Sequence, residues 1–128
     1  MVQNKTMSNT EIYSLGNALL EHMQGKITLP VKINFYLQKN MNKIISLARE
    51  IEEARAEILN KYGTLNEDGS AYHFEPEQME IAQKELNDLF SLEQEVKINM
   101  LKLEWFDSIE LDSDQINAIS FMIEDEEE

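Results

Sequence analysis

The residues of this chain best spaced for chemistry lie between Thr64 and Glu75. With Thr64 as the first position of a calcium-binding loop, Asn66 falls at the third, Asp68 at the fifth, Gly69 at the sixth and Glu75 at the twelfth. Such a loop needs oxygen donors at the early places, a glycine at the sharp turn and a bidentate carboxylate at the end. Three features spoil the match. Thr64 stands where an Asp supplies the first ligand, Ala71 replaces the usual branched apolar residue, and Pro76 intrudes on the exiting helix. The competing reading is a glycine turn leading into a strand, because Asp-Gly is a turn signal by itself. That reading is the stronger one, and no metal or other cofactor is expected.

No other group is spaced for catalysis. His22 and His73 are far apart in sequence and sit in no ligand-spaced motif. There is no Cys, no Gly-rich phosphate loop and no activated serine arrangement. With 25 Asp and Glu among 128 residues, carboxylate pairs arise by chance and do not argue for a glycosidase dyad. The expectation is a protein that binds rather than catalyses. Absence of Cys fits a reducing compartment. No apolar run approaches the length of a membrane span, and the polar start MVQNKTMSNT has no signal pattern. A cytoplasmic protein is therefore expected.

Charge is the strongest compositional feature. Residues 1–62 carry eight Lys and Arg against six acids, a balance of +2; residues 63–128 carry three against nineteen, or −16, and the halves total −14. That total argues against direct binding to nucleic acid or to an anionic membrane. The acidic half has three readings: a solvated surface, a docking face for a basic protein, or a mimic of nucleic-acid phosphates that occupies a basic channel. Its candidate contact residues are Glu77, Glu80, Asp88 and Glu95.

The elements that must position these groups can be read from periodicity. Ser8 to Glu11 has capping-box spacing, and Ile12, Leu15, Leu19, Leu20 and Met23 predict a helix over 9–24 that stops at Gly25. Pro30 suits the first turn of a second helix, which no Gly or Pro interrupts before Gly63. Its length of about 48 Å exceeds the width of a compact domain of this size, so part of it must project or pair. Arg49 and Lys61 are placed one turn from Glu53 and Glu57. A third helix is expected over 76–91, with Met79, Ala82, Leu86, Leu89 and Phe90 as its stripe. Tyr72–Phe74 and Val96–Met100 read as strands, the second continuing over Leu101–Leu103 with a bulge or a break. Asp112 and Gln115 open a last helix over 113–123.

The fold class expected is α+β and mostly α: a long antiparallel helical hairpin, a short N-terminal helix, a two- to three-stranded β element and a C-terminal helix. Residues 1–123 form one domain, followed by an acidic tail over 124–128. Two surfaces are candidates for a partner. Trp105 and Phe106 form the densest aromatic spot, read either as an interface anchor or as a cap on the small sheet. On helix two, Leu37, Met41, Ile44, Ala48, Ile51, Arg55, Ile58 and Tyr62 recur at 4-3-4-3 spacing, with Arg55 interrupting the apolar seam. They serve either as a seam for a homo-oligomer, with Met41, Ile44 and Ile51 in contact, or as an internal face against helix three.

Several segments in order also resemble a family of small uncharacterised proteins of phages and prophages of Gram-positive bacteria. They are Leu29-Pro30-Val31-Lys32, the run EEARAEILNKYG from Glu52 to Gly63, the turn Asn66–Gly69, Glu85–Phe90, Glu95-Val96-Lys97-Ile98, and the closing Phe121-Met122-Ile123-Glu124-Asp125. The resemblance transfers no activity and no site residues. It implies a phage-encoded, intracellular, non-enzymatic accessory protein. Its partner would be a phage protein, or a host defence enzyme that it inhibits.

Overall fold

A computed structural model of the chain describes residues 1–124, so the expected acidic tail lies outside the described residues beyond Glu124. Helix α1 (Asn9–His22) begins as the capping box dictates. The Ser8 hydroxyl accepts from the Glu11 N–H at 3.1 Å, and the Glu11 carboxylate accepts from the Ser8 N–H at 3.1 Å. Helix α2 (Val31–Tyr62) runs for 32 residues, with Pro30 just outside it rather than in its first turn. Helix α3 (Pro76–Ser91) does carry its proline in the first turn. A second capping box, Asp112 with Gln115, opens α4 (Ser113–Ile119), whose expected last turn is instead a 3-10 turn over Ser120–Met122.

Six short strands complete the chain: β1 (Val2–Ser8), β2 (Thr64–Leu65), β3 (Tyr72–His73), β4 (Glu93–Asn99), β5 (Leu101–Lys102) and β6 (Ile123–Glu124). They form three separate two-stranded ribbons rather than one small sheet. β1 with β4 and β2 with β3 are antiparallel, and β5 with β6 is parallel. The architecture is α+β and mostly α. The break expected before Leu101 falls at Met100. Strand β1 was not foreseen, because its side chains are mostly polar. Pairing with β4 makes it a strand, and Met7 is its buried anchor.

The long helix packs differently from expectation. Its seam is buried from Leu37 through Met41, Ile44 and Ala48 to Ile51, against α1 before α3, whereas Arg55, Ile58 and Tyr62 further along are only half-buried. Ile12, Leu19 and Met23 of α1 join them in one core with Val96, Ile98, Leu101, Ala118, Ile119 and Met122. Gly16 lets α1 lie close against α2: a Cβ there would stand 2.5 Å from the Ala48 Cβ. Of α3, only Ala82 is fully buried; Leu86, Leu89 and Phe90 are half-buried and Met79 is exposed. The C-terminal third of α2, the β2–β3 hairpin and the first half of α3 thus form an arm beyond the core. The Tyr62 hydroxyl donates to Glu85 inside this arm, and the Tyr72 hydroxyl to Asn60 at 2.7 Å.

Two buried asparagines tie the layers together. The Asn40 side chain, with no exposure, donates to the Asn99 carbonyl at 2.8 Å and accepts from its N–H at 2.9 Å. The Asn9 amide donates to the Leu89 carbonyl at 2.9 Å and accepts from Gln94 at 2.8 Å. The Asn9 N–H reaches the Leu92 carbonyl at 2.8 Å, and the Thr10 hydroxyl the Phe90 carbonyl at 2.9 Å. Helix α3 has no glycine at its end, so α1's first turn supplies partners for its last carbonyls.

Candidate functional site

The first turns of α2 and a 3-10 turn over Leu103–Phe106 meet in a cluster of aromatic rings. Residues 32, 35, 36 and 39 are three or four apart, which sets Lys32, Phe35, Tyr36 and Lys39 side by side along α2. The Trp105 ring lies nearly parallel to Tyr36, with centroids 6.4 Å apart and 23° between planes. Phe35 meets Tyr36 edge-on at 5.3 Å. Lys32 Nζ sits 4.3 Å from the Trp105 ring centroid, and Lys39 Nζ sits 5.0 Å from that of Phe35. An ammonium over a ring face is attracted by the ring quadrupole, by about 0.5–1 kcal/mol at an exposed site.

This cluster is a surface, not a core. Phe35 is 56% exposed, Val31 86% and Leu103 53%. Trp105 and Phe106 are half-buried, and their inner sides pack against the core. Lys43, one turn further along α2, donates to the Lys97 carbonyl at 2.8 Å. In a chain of net charge −14, a basic and aromatic platform is thus built at one end of the longest helix. The sequence drew attention to Trp105 but not to its companions. The spacing of Lys32, Phe35, Tyr36 and Lys39 was the available signal.

The other candidate residues scatter. Met41, Ile44 and Ile51 are 1%, 0% and 3% exposed, so the homo-oligomer seam they were expected to offer is occupied by the protein's own α1 and β4. Glu77, Glu80 and Asp88 are exposed along α3 with Lys84 between them, whereas Glu95 lies on β4 opposite Thr6. The structure does not bring these four acids into one site. The ion pairs expected of Glu53 and Glu57 do not form; Arg55 instead pairs with Glu52 at 3.1 Å.

The Thr64–Glu75 segment is a hairpin whose turn satisfies itself. Asn66 Oδ1 accepts from the Ser70 N–H at 3.0 Å, and Asp68 Oδ1 accepts from the Ser70 hydroxyl at 2.7 Å. That hydroxyl bond, followed by the Ser70 N–H that also donates to Asp68 Oδ1 at 3.0 Å, holds the Asp68 carboxyl below its ordinary pKa. Gly69 takes the left-handed φ of 74° that the turn requires. His73 Nε2 approaches Glu75 at 3.6 Å, and the His22 carbonyl accepts from Gln115 at 3.2 Å. Among the described residues, no three His, Asp or Glu side chains gather as the ligands of a cation would.

No helix of the described residues is long and apolar enough to cross a membrane. No protein-family model, curated protein or solved structure matches the chain.

Proposed function

We propose that the protein is a non-enzymatic, phage-encoded accessory protein of the host cytoplasm that binds another protein through the Trp105 platform. The observation that carries this reading is the pairing of rings with lysines on one face: exposed Phe35 with Lys39, and half-buried Trp105 with Lys32. Aromatic anchors ringed by polar groups are the usual centre of a binding surface. Its ligand would be an acidic segment, with a carboxylate for Lys32 or Lys39 and an apolar side chain against Phe35, Val31 and Leu103.

A second reading keeps the acidic half as the contact, in an inhibitor that mimics nucleic-acid phosphates. It is favoured by one observation. Among the described residues, Arg55–Glu52 is the single pairing of Arg or Lys with a carboxylate, leaving the acids of the second half free of such partners.

One experiment separates the two. Tagged protein is used to capture partners from phage-infected host lysate at low and high salt, alongside the Phe35→Ala/Trp105→Ala and Glu77→Lys/Glu80→Lys variants. A partner lost only with the aromatic variant, and not displaced by DNA or RNA, supports the platform. A nucleic-acid enzyme lost at high salt and with the acidic variant, and displaced by DNA or RNA, overturns it in favour of the mimic.

A further inference from the structure

The two long edges of the β1–β4 ribbon are not alike. The Met100 N–H bonds the Met1 carbonyl at 2.7 Å, and the Asn9 N–H bonds the Leu92 carbonyl at 2.8 Å. These mark hydrogen-bonded pairs at either end of an unbroken antiparallel register. Such pairs alternate along the ladder, so Gln3, Lys5 and Met7 bond Ile98, Val96 and Gln94. The main-chain groups of Val2, Asn4 and Thr6 on β1, and of Glu95, Lys97 and Asn99 on β4, therefore point out of the ribbon.

On the β4 side, α2 meets them. Asn40 bonds both main-chain groups of Asn99, and Lys43 bonds the Lys97 carbonyl. On the β1 side, nothing among the described residues bonds the main chain of Val2, Asn4 or Thr6. A groove of about 550 Å³ runs beside that strand, lined by Lys5, Thr6 and Met7 with Glu11, Leu15 and Phe121 among others. An unpaired row of donors and acceptors is a template for another strand.

We propose that this edge pairs with the same edge of a second copy, making a symmetric four-stranded sheet with the two β1 strands at its centre. Two features of the edge choose that occupant. First, its sequence is self-complementary when two strands run antiparallel about Asn4. Val2 then faces the partner's Thr6, and Asn4 faces the partner's Asn4, for about six main-chain hydrogen bonds. Gln3 faces the partner's Lys5. The register centred on Lys5 would set two ammonium groups opposite each other, and like charges there are destabilising. Second, no Asp or Glu precedes Glu11, so β1, the longest of the acid-free strands, carries only Lys5 as a charge where two chains of −14 would meet. A two-stranded ribbon is marginal by itself, and doubling it to four strands gives it an independent footing.

The test is the solution mass of the untagged protein by analytical ultracentrifugation, from low to high micromolar. The expected result is a concentration-dependent mass of two chains. Asn4→Pro removes an outward N–H and leaves the ladder bonds of Lys5 and Gln3 in place, so it gives a monomer with unchanged helicity. The chain has no cysteine, so Asn4→Cys brings two thiols together at the two-fold axis and is trapped as a disulfide-linked dimer on mild oxidation. A monomer at every concentration that Asn4→Cys does not trap overturns the proposal. So does a monomer whose captured protein is lost with Asn4→Pro, because the edge then belongs to a foreign strand.

Discussion

Tyr13 links α1 to α2 by donating to the Glu52 carboxylate, which Arg55 also contacts. That hydrogen bond, followed by burial, holds the Tyr13 phenol above its ordinary value of 10.0. A folded pKa raised above the unfolded one contributes stability that is complete below pH 10 and fades as pH rises through the folded value. Tyr13→Phe is therefore expected to cost about 1–2 kcal/mol at neutral pH. Urea melts at rising pH should show the gap to wild type narrowing above pH 10, and a constant gap would refute the bond's role. At this scale the sequence was partly readable. Trp105 stood out as the single tryptophan, and Ser8 and Asp112 as caps. The ring that Trp105 lies against, Tyr36, is distant in sequence and belongs to another element, which no local pattern reveals.

Among the elements, local chemistry and long-range pairing were legible to different degrees. The four helices and β4 follow from periodicity and capping, which act within a few residues. Strand β1 did not, because only Met7 of its side chains reaches the core and β4 makes it a strand. The 4-3-4-3 pattern of α2, which runs on to Tyr62, marks a buried face as far as Ile51 but not what covers it, since α1, α3 or a second copy would select the same residues. The pattern loses its force after Ile51, where α2 holds no fully buried residue. Few buried apolar contacts make for low local stability. Amides of residues 52–62 and 76–86 should thus exchange with deuterium well before those of 33–51, as mass spectrometry would resolve. Equal protection along α2 would show that the arm is as stable as the core.

For the molecule as a whole, the −14 balance acts against compactness, because like charges spread over one small body repel. Only Arg55 and Glu52 form a Lys or Arg ion pair among the described residues, so added salt has little attraction to screen and much repulsion. The melting temperature is expected to rise by several degrees between about 20 and 500 mM sodium chloride. A flat or falling trend would mean that counterbalancing attractions hold the acidic half together. The β1–β4 ribbon has a further consequence in time. Met7 pairs with Gln94, so β1, once made, waits for the synthesis of the whole stretch up to β4. At ribosomal speeds of about 5–20 residues per second, that wait is on the order of ten seconds. Through it the nascent N-terminal segment stays unpaired, within reach of chaperones and of the same segment on neighbouring ribosomes.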